Sequence, residues 1–153
     1  MKKTSINELL IKNIKLINDS LINFKLSIEK CKKIDLTMEL SFEEQESFDS
    51  LTSKFARISD IYTQKILKSI CIVYRENCTT FIDRCNFAEK IGIISDAQLL
   101  FDIRDLRNEI SHEYIDDLII EIYQKTLELS DILIPIIEDT NSHIENNNIF
   151  KIS

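Results

Sequence analysis

Residues 41–73 read SFEEQESFDSLTSKFARISDIYTQKILKSICIV. Within them apolar side chains fall at Phe48, Leu51, Phe55, Ile58, Tyr62, Ile66, Ile70 and Val73, always three or four residues apart. A strand would alternate every second residue, so this spacing specifies a helix with one continuous apolar face. The stripe holds for about seven turns. Ser41 followed three residues later by Glu44 has the form of a capping box, which sets the start of the helix. A helix this long and apolar along one side needs packing partners over its whole length, and that requirement decides the fold class.

Both flanks supply such partners. On the N-terminal side, Leu10, Ile14, Ile17, Leu21, Phe24, Ile28 and Cys31 make a second stripe over residues 6–31, which Lys32, Lys33 and the 34–40 stretch interrupt. On the C-terminal side, residues 77–80 predict a break. Thr79 or Thr80 then caps a short helix carrying Phe81, Ile82, Cys85 and the 88–91 stretch, and Gly92 closes it. Ser95 with Gln98 predicts another capping box, opening a helix whose buried edge is Leu99, Ile103, Leu106 and Ile110. Asp116 or Asp117 caps the last helix, which carries Leu118, Ile119, Ile122, Leu129, Ile132, Leu133, Ile136 and Ile137, with a kink at Pro135. The expectation is an all-α fold: an antiparallel bundle of about five helices over residues 1–139, no sheet, and a frayed Asn-rich tail over 140–153.

Composition agrees. One Gly and one Pro in 153 residues cannot serve the turns of a sandwich, a barrel or a nucleotide-binding Gly-rich loop. Cys31, Cys71, Cys78 and Cys85 include no C-x-x-C pair, so core filler and a reducing, cytoplasmic setting are expected, with no metal and no cofactor. Asn7, Glu8, Lys12, Asn13 and Lys15 interrupt any apolar run after Met1-Lys2-Lys3, so no export is expected; the apolar run at 132–137 is far below the ~20 residues that span a bilayer, so no membrane is expected either. Net charge is −7. Residues 1–40 hold eight Lys against five acids, whereas 91–153 hold four basic against thirteen acidic residues, which makes the two arginines of the fourth helix stand out.

Those arginines belong to the segment Arg104-Asp105-Leu106-Arg107-Asn108-Glu109-Ile110-Ser111-His112-Glu113-Tyr114, which gathers a guanidinium, an amide, an imidazole and a phenol within eleven residues. On a helical wheel Arg104, Asn108 and His112 share one polar stripe, and Arg107 lies between that stripe and the core. Arg107 and His112 are about 140° apart on the wheel, so they cannot converge from one straight helix. A shared site requires that the helix end or tighten near His112, or that two copies of the chain contribute to a common cleft. Arg and His together suit cleavage of an RNA phosphodiester. The ribose 2′-OH is an internal nucleophile, so the protein need only move protons with His112 and offset phosphorane charge with Arg107, while Asn108 orients the imidazole or a phosphate oxygen. The plainer alternative is that Arg104 and Arg107 pair with Asp105, Glu109 or Glu113 on a solvated face and His112 caps a helix end. His143, in the Asn-rich tail, is assigned no role.

Arg107 to Tyr114 resembles the R-x4-H-x-Y signature of HEPN domains, and especially of the HepT-type toxins, at the end of the penultimate long helix of an all-α bundle. The resemblance implies a metal-independent endoribonuclease acting as a homodimer, with the motifs of both chains lining one cleft. It makes Arg107 and His112 the catalytic pair, Asn108 a polar helper, Arg104 a supporting residue and Tyr114 the acceptor of AMP from a small nucleotidyltransferase antitoxin. An anionic adduct on Tyr114 beside Arg107 would block the phosphate site. A second role found among similar proteins is that of a non-catalytic companion of a nucleotidyltransferase. Because the motif lies in the acidic half, the cations that hold RNA must come from another element, with Lys65, Lys68 and Arg75 of the long helix as candidates.

Overall fold

The computed structural model describes the backbone of residues 3–112 and 116–147, and the side chains of 7–112 and 118–147. Every regular element among those residues is a helix, without a strand: α1 (Lys3–Lys32), α2 (Phe42–Asp60), a π-helical segment (Ile61–Ile66), α3 (Leu67–Val73), α4 (Phe81–Lys90), α5 (Ala97–Ser111) and α6 (Asp116–Asn146). The π segment joins α2 to α3 without leaving helical backbone angles, so the three form one rod and the bundle has five.

Every residue of the stripe that runs from Phe48 to Val73 is buried, and so are six of the seven on α1, Ile14 being half-buried. α1 and α6 flank the long rod, and α5 packs against α2, α4 and α6. Phe24 tilts against Phe55, and Phe48 stacks on Tyr123 of α6 with ring centroids 4.6 Å apart. Truncating a fully buried Phe of this kind costs about 3–5 kcal/mol. Buried hydroxyls are matched across the core, Tyr62 Oη to Thr140 Oγ1 at 2.8 Å. Burial pushes the Tyr62 phenol above its ordinary pKa.

The π segment is absent from the sequence-based expectation, and the spacing explains it. Ile58, Tyr62, Ile66 and Ile70 are four apart three times running, and each such step drifts about 40° in an α-helix. One wider turn, in which the Leu67 N–H reaches back five residues to the Tyr62 carbonyl, returns the stripe to the core.

Helix ends follow side-chain chemistry. Ser41 and Glu44 form the expected reciprocal capping box, Glu44 N to Ser41 Oγ at 3.1 Å and Ser41 N to Glu44 Oε1 at 2.9 Å. Thr80, the second of the two candidates, caps α4 through Asp83 N. Gly92, at φ +81°, closes α4 with paired bonds: its own N–H to Glu89 O, and Ile93 N–H to Ala88 O.

Three expectations need correction. α5 is capped by Asp96, not Ser95: Asp96 Oδ1 accepts from Gln98 N at 2.9 Å, and the Gln98 amide reaches forward to Asp102 instead of back. Ala97 N is taken by Glu89 Oε1, which fixes α5 to the end of α4. The buried edge of α5 accordingly shifts to Ala97, Leu100, Ile103 and Leu106, with Leu99 and Ile110 half-buried beside it. Finally, helix and core continue beyond 139. α6 runs through Pro135 to Asn146, and Thr140 and Ile144 are buried, because an apolar residue one turn beyond Thr140 keeps the inward stripe going.

Candidate functional site

Arg107, one turn before the end of α5, projects toward the middle of the long rod. There Asp60, the residue before the π segment, receives its guanidinium edge-on: Nε to Oδ1 at 2.8 Å and Nη2 to Oδ2 at 2.7 Å. The Arg107 and Asp60 side chains keep 26% and 31% of their exposure, so the pair sits at the surface with its partner edge inward. Nη1 donates to Ser111 Oγ, one turn on. The hydrogen bonds that Arg107 donates to Asp60, followed by the Asp60 charge, hold the Arg107 pKa above the ordinary guanidinium value. Two-point pairing orients the fork as a single contact does not, and it leaves the outward N–H groups of Nη1 and Nη2 for an anion.

α5 ends at Ser111, and His112 follows in extended backbone, φ −85° and ψ 150°, with its N–H bonded to Glu109 O. His112 is exposed. Of the two geometries that free it from the helical wheel, the chain itself realises the first, the end of the helix. Asn108 is exposed one turn before it. Arg104 goes elsewhere: its guanidinium lies 4.4 Å from the centre of the Phe81 ring on α4, a cation–π contact. The structure therefore brings Arg107, Asn108, Ser111 and His112 to one end of α5 and leaves Arg104 as a contact between α4 and α5. The expected pairing of the arginines with Asp105, Glu109 or Glu113 is replaced, for Arg107, by Asp60 from another helix, while Glu109 faces Lys125 of α6 at 3.7 Å. Tyr114, with Glu113, lies outside the described residues.

Asp60 and Ser111 are the members that sequence reasoning missed. Ser111 was within reach, being four residues after Arg107 on a helix. Asp60 was not, since it is 47 residues away.

Elsewhere the chemistry is quiet. Cys31, Cys71 and Cys85 are buried and Cys78 is half-buried. Burial pushes the Cys31 thiol up to about 11 and that of Cys85 up to about 12, and drives Cys71 higher still, so these are packing residues rather than nucleophiles. Among the described residues no three His, Cys, Asp or Glu side chains are grouped to hold a metal ion, and no helix is long and apolar enough to cross a membrane. Lys65, Lys68 and Arg75 are exposed on the second half of the long rod and in the turn after it.

Fold and site together define an all-helical bundle with an anchored guanidinium and an exposed imidazole at one helix end. Compared with models of protein families, with curated proteins and with solved structures, the chain finds no match.

Proposed function

We propose that this chain is a HEPN-type, metal-independent endoribonuclease of the HepT kind, a cytoplasmic toxin that acts as a homodimer. The observation that carries the proposal is the end of α5 between Arg107 and His112: a guanidinium fixed by Asp60 and an exposed imidazole stand five residues apart where helical geometry alone would have kept them on different faces. Phosphodiester cleavage needs these two groups. His112 takes the proton of the ribose 2′-OH as its oxygen bonds to phosphorus. The P–O5′ bond breaks, and a second imidazole, His112 of the partner subunit, returns a proton to the leaving oxygen. Arg107 offsets the charge that builds on the phosphorane oxygens. Products are a 2′,3′-cyclic phosphate and a 5′-OH. Asn108 serves as polar helper, and Tyr114 is the residue that a nucleotidyltransferase antitoxin would charge with AMP.

The deciding experiment is cleavage of total RNA in EDTA by the wild-type protein beside His112→Ala and Arg107→Ala. Cleavage by the wild type alone supports the proposal. Equal cleavage by all three overturns it. Absence of cleavage by a wild-type protein that co-purifies with a nucleotidyltransferase replaces it with the companion role.

A further inference from the structure

α1 buries its inner stripe against the long rod and α6, yet its outer side is apolar in places too. Ile11, Ile22 and Leu26 are each more than half exposed. At 100° per residue, Ile11, Lys15, Asn18, Leu26 and Glu29 fall within about 40° of Ile22 on the wheel, with Asp19 and Lys25 about 60° to either side. Lys15, Asn18, Asp19, Lys25 and Glu29 are exposed as well, so the outer face is an apolar strip set between charges. Asn18, Leu21, Ile22 and Lys25 stand at i, i+3, i+4 and i+7, the four corners of a hole that receives one side chain of a facing helix. The same four residues wall a cavity of about 380 Å³, closed on its other side by Glu138 and Asn141 of α6.

The order of the charges identifies the occupant. Read antiparallel about a two-fold axis at Ile22, the face complements itself. Lys15 meets the partner's Glu29, Asp19 meets the partner's Lys25, and symmetry doubles both pairs. Ile22 meets the partner's Ile22 at the centre, each beside the hole of the other chain, with Leu26 one turn away. Lys25 keeps Glu138 of its own chain at 3.6 Å and joins it to the partner's Asp19. Other arrangements fail on charge. An axis at the level of Phe24 opposes Asp19 to the partner's Glu29, an axis at Ser20 opposes Lys15 to the partner's Lys25, and a parallel pair opposes every charge to its own copy.

We propose that the outer face of α1 is an interface between two copies of this chain, paired antiparallel about Ile22. Its charges and its apolar centre belong to α1, so it is additional to the cleft that Arg107 and His112 of two chains would share, and it does not depend on the nuclease proposal.

The test is the mass in solution, by sedimentation equilibrium over a range of protein concentrations, of wild type, Lys15→Glu and the charge swap Lys15→Glu/Glu29→Lys. Both positions are exposed, and thermal melts check that the fold is kept. Lys15→Glu should weaken association about tenfold, because two pairs of like charge replace two of opposite charge, and the swap should restore it. Equal association by all three overturns the pairing, and cleavage of RNA by the wild type then still decides the nuclease by itself. A wild type that stays a single chain at every concentration overturns both this pairing and the proposed homodimer. Oxidation by dioxygen with a copper catalyst fixes the register. At the axis, the two thiols introduced by Ile22→Cys come within reach of a disulfide, whereas those of Leu26→Cys are about 12 Å apart along the helices. A cross-linked dimer with Ile22→Cys, and none with Leu26→Cys or wild type, supports the pairing. A cross-link with Leu26→Cys alone overturns it.

Discussion

The protein has two histidines, and they occupy opposite environments. His112 stands exposed in extended backbone at the end of α5. His143 is half-buried inside α6, with its Nε2 3.1 Å from Tyr74 Oη, the two rings tilted together and Asn147 bonded to its carbonyl. Burial lowers the His143 pKa below the ordinary imidazole value. A ring held this way is a neutral cross-brace between the turn after α3 and the end of α6. The comparison teaches that the chemistry of an imidazole is set by what surrounds it: one ring is spent on holding helices together, and the other is left open to solvent.

The largest expected effect tests the open ring. His112→Ala should lower RNA cleavage by about 10²–10⁴, the usual worth of a general acid or base, while the stability stays within about 0.5 kcal/mol, as for other exposed substitutions. Parallel cleavage assays and thermal melts check both halves. A loss of stability of the size seen for core residues would make His112 a brace like His143 and erase the contrast.

Next in size is the anchor beside the open ring. Asp60→Asn keeps the volume of the side chain but removes the charge and one acceptor from Arg107. Cleavage should fall about tenfold, in kcat more than in KM, and Asp60→Glu should recover part of it, because what is lost is orientation of the guanidinium in the transition state. Stability should change by no more than about 1 kcal/mol, since the pair is a quarter to a third exposed. A fall in apparent kcat that tracks the loss of folded protein in thermal melts, with KM unchanged, would assign Asp60 to the fold alone.

The contrast between the two imidazoles was half legible in the sequence. The apolar stripes place five helices, and Ser41, Thr80 and Gly92 mark their ends, because period, capping and left-handed backbone are local properties. The end of α5 at His112 was one of two geometries that the wheel left open. Local rules fail where a partner is distant. Nothing within a few residues of Asp60 singles it out from the other carboxylates of α2, and its value comes from a helix crossing that brings Arg107 to it. His143 failed for a related reason: the Asn-rich run at 146–148 reads as a tail, while Ile144 and Thr140, four apart and buried, extend the core beneath it. The cap of α5 was misplaced by one residue because Ser95 and Asp96 are both good caps, and the choice fell to Glu89, which takes the neighbouring N–H.

Smaller effects belong to the braced ring. His143→Leu leaves the Tyr74 hydroxyl without its nitrogen partner and should cost about 1 kcal/mol of stability, read from denaturant midpoints, with RNA cleavage unchanged.

Its pH dependence is the finest test. The unfolded chain protonates His143 near the ordinary value of 6.5, and the folded protein does so only at lower pH. Between those two values the unfolded state binds more protons, so stability rises with pH across the window. The contribution of the neutral ring is complete above 6.5 and drains away as the pH falls through the lowered value. Denaturation of wild type and His143→Leu from about pH 8 to about pH 5 should therefore show the wild-type advantage shrinking on the acid side. A wild-type advantage that grows toward acid would mean that the ring between Tyr74 and α6 carries its proton and is not a neutral cross-brace.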